Sequence, residues 1–173
     1  FFIERDPEIV HPKAIRKRLQ AHPLRKKAVS PDPVYAVVTN CTYDGICYDA
    51  TTAQDLLDKS VDVIHFDEAW YAYARFNPLY KGRFAMRGDP QDHPAKGPTV
   101  FATPSTHKLL AALSQASWIH LREGRREVEP HIFNESYMAH QSTSPLYAII
   151  SSNEIAAAMM DGPAGEALTT DVL

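Results

Sequence analysis

Two apolar runs of strand length, Val34–Val38 and Val61–Phe66, flank a segment with helical spacing, and this arrangement restricts the fold more than any other feature of the chain. Val34-Tyr35-Ala36-Val37-Val38 is continuously apolar, which is the pattern of a parallel strand covered on both faces. Thr52–Lys59 reads as a short helix that turns Leu56 and Leu57 toward a core. Strand, helix and strand over about thirty residues make a βαβ unit, with a right-handed crossover expected. A third run, Thr99-Val100-Phe101-Ala102, leads into Thr103-Pro104-Ser105-Thr106-His107-Lys108-Leu109-Leu110. Together these segments predict an α/β fold with a mainly parallel sheet flanked by helices.

In open sheets of this kind, ligands meet the carboxyl ends of the strands, so the polar residues there are the candidates for chemistry. Lys108 falls at a strand-to-helix turn, since Leu109, Leu110, Leu113 and Ala116 recur at helical spacing. A lysine between an apolar strand and an apolar helix is expected to lose solvation, which favours the neutral amine. Such an amine can form an imine with an aldehyde. Ser105 and His107 add a hydroxyl and an imidazole, and with backbone N–H groups at a helix start these suit a phosphate. Ser105 also suits a plain N-cap. Asp67, at the end of the second run, matches the carboxylate that a protonated pyridinium nitrogen needs, and Trp70 is placed to cover or hydrogen-bond such a ring. Amine, phosphate and pyridinium partners together point to pyridoxal phosphate.

The motifs carrying these residues are long. His65-Phe66-Asp67-Glu68-Ala69-Trp70, Ser105-Thr106-His107-Lys108-Leu109-Leu110 and Leu113-Ser114-Gln115-Ala116-Ser117 resemble the bacterial ornithine/lysine/arginine decarboxylases of the aspartate aminotransferase fold, pyridoxal phosphate fold type I. Residues 71–78 and 97–103 are most similar to the biodegradative arginine decarboxylase branch, and the similarity is read from about Val34 to the end. The resemblance implies decarboxylation of a basic amino acid, L-arginine to agmatine and CO2, with lysine or ornithine as alternatives within the family. It gives Lys108 the covalent link to the cofactor, Asp67 the pyridinium, and His107 the phosphate or a proton transfer. In the family the loop resembling Thr39–Gly45 lies beside the cofactor, which makes Asn40 a candidate, with an Asx turn as the alternative. A hydroxyl-rich loop crosses the dimer interface to the neighbouring subunit's cofactor phosphate, and Ser142 is the positional match; Ser142 and Ser144 also suit helix caps. A homodimer with a shared active site, a decamer built as a pentamer of dimers, and a cytoplasmic enzyme are implied in the same way.

On this reading residues 1–33 are a connector with a short helix beginning near Pro12, and residues 34–173 are the later part of the cofactor-binding large domain. The family's phosphate loop, its ring-stacking residue and its small C-terminal domain are then expected outside these 173 residues. A fold type I aminotransferase, which also needs a lysine and an aspartate, is the enzymatic alternative. A degenerate subunit kept for assembly is the non-enzymatic one.

Other classes find little support. A net charge of −3 gives no reason to expect nucleic acid. No apolar run approaches a membrane span. Glu4, Arg5 and Asp6 follow Phe1-Phe2-Ile3 too closely for a secretory signal at this end. Cys41 and Cys47 form no CxxC and read as reduced, partly buried thiols rather than a disulfide or metal site. His93 with Asp89 and Asp92 belongs to a solvated surface loop spanning 77–98, so no metal is expected. Farther on, Trp118–Arg122 alternates like a strand, His131–Ala139 suits a helix, and Leu146–Met160 is apolar enough for a largely buried one.

Overall fold

The computed structural model describes residues 11–30, 33–80, 82–86 and 96–171. Four strands, β1 (Tyr35–Thr39), β2 (Val63–Glu68), β3 (Thr99–Pro104) and β4 (His120–Arg122), form one sheet in the order β1-β2-β3-β4. The first three run parallel and β4 is antiparallel to β3. Helix α1 (Pro12–Ala21) precedes them, with proline in its first turn, where no backbone donor is needed. Helix α2 (Ala50–Leu57) makes the crossover from β1 to β2, and the Asp49 carboxylate caps it by accepting from the Thr52 N–H at 2.9 Å.

Alternation along the strands gives the sheet two unlike faces. Val38, Ile64, Phe66, Val100 and Ala102 point to one side and form the core with Ala50, Ala53 and Leu57 of α2. The opposite side carries Tyr35, His65, Asp67, Phe101 and Thr103, and α4 (Pro130–His140) covers it only in part, through Phe133 stacked on Phe101 at 6.2 Å. The expectation that β1 is covered on both faces is therefore corrected. Among the described residues β1 pairs only with β2, and Tyr35 and Val37 are 51% and 57% exposed where α4 meets that face at Phe101 alone.

Two helix expectations also change. The helix carrying Lys108, α3 (Thr106–Leu109), is a single turn, and the leucines at helical spacing do not extend it. Leu110 is extended and Gln115 lies in the left-handed region at φ 75°, so the chain turns back toward β4. Helix α5 (Tyr147–Met160) is not largely buried: only Ser152, Ala156 and Met160 are covered, while Ile150, Ile155 and Met159 are exposed. Its apolar residues run around the whole helix, so composition alone could not say which stripe packs. That stripe faces the Lys108 segment and α6 (Pro163–Thr170).

Part of the 77–98 loop is also less solvated than expected, since Phe84 and Ala85 are buried. Asp89, Asp92 and His93 lie outside the described residues. Among the described residues, no helix is long and apolar enough to cross a membrane.

Candidate active site

Strand register brings the candidate residues together. Thr39, Asp67 and Thr103 are aligned across β1, β2 and β3, and Glu68 is aligned with Pro104, so Asn40, Asp67, Glu68 and Ser105 share one end of the sheet. Asp67 and Glu68 are neighbours on a strand and so point to opposite faces. Asp67 lies on the open face, half-buried, with Oδ1 accepting from the Ala69 N–H at 3.1 Å. Glu68 lies on the core face at 5% exposure, where Oε1 accepts from Asn40 Nδ2 at 3.0 Å and from the Ala85 N–H at 2.7 Å.

Asn40 is fully buried, and its Nδ2 also donates to the Arg83 carbonyl at 2.8 Å. Its amide thus ties the exit of β1 to the end of β2 and to the segment around Arg83, and its Oδ1 has no partner among the described residues. Burial pushes the Glu68 carboxyl from 4.5 up to about 7, against the pull of the Ala85 and Asn40 hydrogen bonds. An acid with a raised pKa binds more protons folded than unfolded between these two values, so its stabilising contribution is complete below about 4.5 and is lost as pH rises through about 7. Glu68→Gln removes this titration. The stability of the unsubstituted protein relative to Glu68→Gln is expected to fall by up to roughly 3 kcal/mol between pH 4 and pH 8. Urea midpoints measured for both across that range check this, and parallel profiles would contradict it.

Lys108 is exposed rather than desolvated by its flanking strand and helix, which corrects the expectation drawn from the apolar neighbours. The helix beside it is too short to enclose it. Its Nζ stands 4.9 Å from the centroid of the Trp70 ring, and Trp70 in turn meets Tyr43 edge-on at 4.4 Å. An ammonium over an indole face is attracted to the ring quadrupole, which holds the side chain in place. His107 Nδ1 donates to the Ala116 carbonyl at 2.8 Å, so Nε2 is the nitrogen left to face the site. Ser105 occupies the N-cap position of α3 without making a capping bond. Left-handed backbone at Tyr71 (φ 62°) follows Trp70 directly, and Gln115 precedes the Ala116 carbonyl that anchors His107. Non-glycine residues hold such conformations only where the surroundings enforce them.

The brace behind Lys108 comes from residues that sequence reasoning passed over. Thr106, fully buried, donates through its hydroxyl to Asn153 Oδ1 at 2.6 Å, and Ser152 Oγ accepts from the Leu113 N–H at 3.0 Å. Both partners sit on α5, where Ser151-Ser152-Asn153-Glu154 interrupts an otherwise apolar run. That polar break was the available signal. On the open face, His65 bridges Tyr35 (Nδ1 to the hydroxyl, 2.7 Å) and Thr103 (Nε2 to Oγ1, 3.0 Å), linking three strands beside Asp67.

Ser142 is not brought to this cluster. It is exposed in the turn between α4 and α5, where its hydroxyl accepts from the Ser144 N–H at 3.2 Å. It caps neither helix, because the N-cap of α5 is Leu146.

Residues 3–173 match the family model described as Orn/Lys/Arg decarboxylase, major domain. The chain belongs to this family. Relatives include the biodegradative arginine decarboxylase of Escherichia coli K12, 58% identical over 96% of this chain and 22% of its own length. Lysine decarboxylase LdcA of Pseudomonas aeruginosa is 51% identical over 90% of the chain and 20% of its own length. The solved structure of lysine decarboxylase A from Pseudomonas aeruginosa superposes with a TM-score of 0.86 at 47% identity, covering 98% of this chain and 22% of that one. The chain therefore spans about a fifth of the length of the decarboxylases it matches. The match beginning at residue 3 corrects the expectation that similarity starts near Val34.

The family is one of pyridoxal-phosphate-dependent basic amino acid decarboxylases, and the residues present fit that cofactor. An exposed primary amine, a carboxylate on the open face and an imidazole with one anchored nitrogen all lie at the carboxyl edge of the sheet. These are the group types that an aldehyde, a pyridinium N–H and a phosphate call for: an amine, an acceptor carboxylate and an N–H donor.

Proposed function

We propose that the full-length protein is a pyridoxal-phosphate-dependent decarboxylase converting L-arginine to agmatine and CO2. The observation that carries this reading is the Lys108 ammonium seated over Trp70 at the end of β3, beside the strand end that presents Asp67. When bound, the cofactor supplies a sink for the electron pair released with CO2. Lys108 would hold the cofactor through its aldehyde carbon. The Asp67 carboxylate would accept from the pyridinium N–H and keep that proton on the ring. With Nδ1 committed to Ala116, His107 has only Nε2 with which to hold or move a proton, at the phosphate or at the reacting carbon. Ser105 would offer its hydroxyl to the phosphate and Trp70 would cover the ring, while Asn40 fixes the neighbouring strand ends through Glu68.

In this proposal residues 34–173 are the later part of the cofactor-binding domain, and residues 1–33, which the same family model matches from residue 3, lead into it. The cytoplasmic enzyme works as a homodimer, assembled further into a pentamer of dimers. Ser142, exposed and remote from its own chain's cluster, reaches the partner's cofactor phosphate.

Arginine is preferred as substrate because identity is higher to the arginine enzyme, 58%, than to the lysine enzymes at 51% and 49%. Lysine is the second reading, supported by the TM-score of 0.86 to a lysine decarboxylase. Assaying the full-length protein with arginine, lysine and ornithine side by side decides between them. We expect kcat/KM for arginine to exceed the others by at least about tenfold, or about 1.4 kcal/mol. Faster release of CO2 from lysine would move the assignment to that substrate.

A further inference from the structure

Cys41 and Cys47 face each other across a small hairpin at the carboxyl end of β1. The Thr42 N–H donates to the Ile46 carbonyl at 2.9 Å and the Tyr48 N–H to the Asn40 carbonyl at 2.9 Å, which makes Cys41 and Cys47 an antiparallel bridge pair. The ladder bonds come from the residues on either side, so the cysteines occupy a non-hydrogen-bonded position, where facing Cα atoms lie about 4.5 Å apart. A disulfide spans Cα separations of roughly 4.4–6.8 Å, so the pair can close without moving the backbone far. Both thiols are free, and each donates to a backbone carbonyl, Cys41 to Thr42 at 3.6 Å and Cys47 to Tyr48 at 3.5 Å. Their proximity lowers the pKa of Cys41 and, with burial, raises that of Cys47, so Cys41 is the first of the pair to ionise. Cys41 is 2% exposed, while Cys47 is half-buried and reachable from solvent.

We propose that Cys41 and Cys47 are a reversible dithiol–disulfide site, oxidised by exchange with a low-molecular-weight disulfide. The Cys47 sulfur, the one solvent reaches, passes its proton to the Cys41 thiolate beside it, attacks one sulfur of the reagent and releases one small thiolate, leaving a mixed disulfide on Cys47; that thiolate takes the proton back from Cys41. The Cys41 thiolate then attacks the Cys47 sulfur and expels the second small thiolate. The two protons lost by the cysteines are taken up by the two departing thiolates. The protein dithiol has lost two electrons and the reagent has gained them. The hairpin so locked also carries Tyr43, which packs on Trp70, and it begins directly after Asn40, so oxidation acts at the edge of the candidate site. This inference is independent of the substrate and of the decarboxylation reading.

The test equilibrates the native full-length protein with graded ratios of reduced to oxidised glutathione, then acid-quenches, alkylates and maps the peptides by mass. The expected result is joint loss of alkylation at Cys41 and Cys47, a hairpin peptide lighter by two hydrogens, and full recovery with dithiothreitol. Cys41→Ser should instead stop at a glutathione adduct on Cys47. Two results would overturn the proposal: both thiols still alkylated in excess oxidised glutathione, or the adduct on Cys47 accumulating in the unsubstituted protein. Closure seen only in denaturant would overturn it equally, because the native hairpin would then not be the reacting form.

Discussion

Lys108→Ala in the full-length enzyme is expected to abolish covalent retention of pyridoxal phosphate and to reduce turnover by at least about a thousandfold, roughly 4 kcal/mol of barrier. The side chain is exposed and its ammonium rests on Trp70, so alanine leaves no buried cavity and the fold should survive. The loss should therefore appear in absorbance at the visible edge and in kcat, while the urea midpoint moves little. Cofactor still associated with the variant should be removed by gel filtration. Near-normal turnover in Lys108→Ala would exclude this lysine from the chemistry.

Asp67→Asn is expected to separate cofactor binding from the chemical step. Asparagine keeps the shape of the side chain and can still accept from the Ala69 N–H, so the strand end should keep its geometry. What disappears is the negative charge proposed to hold a proton on the pyridinium nitrogen. Without that proton the ring accepts electrons poorly, and decarboxylation should slow by about a thousandfold, again about 4 kcal/mol. The variant should remain yellow where Lys108→Ala is colourless. Turnover close to that of the unsubstituted enzyme would mean that Asp67 is not the ring partner.

The parts of the fold that were legible in the sequence are those where apolar runs and polar ends are local. The β1-α2-β2 unit and the position of Lys108 just after β3 follow from hydrophobic spacing within a few residues. What the spacing could not convey is which faces are covered. Tyr35 and Val37 belong to a fully apolar run yet stand exposed, because α4 covers that face only at Phe101 among the described residues. Leu110 and Leu113 have helical spacing, but Gln115 turns the backbone left-handed and α5 draws the segment in through Ser152 and Asn153. The pairing of Thr106 with Asn153 joins residues 47 positions apart, beyond the reach of any periodicity argument. Asp67 and Glu68 look equivalent in sequence; strand alternation sends one to the open face and the other into the core, where burial raises its pKa to about 7.

The most direct measurement is borohydride reduction of the full-length protein loaded with pyridoxal phosphate, followed by proteolysis and mass mapping. The predicted result is a single phosphopyridoxyl label, on the peptide containing Lys108. A label on any other lysine, with Lys108 unmodified, would contradict the placement of the catalytic centre at the end of β3.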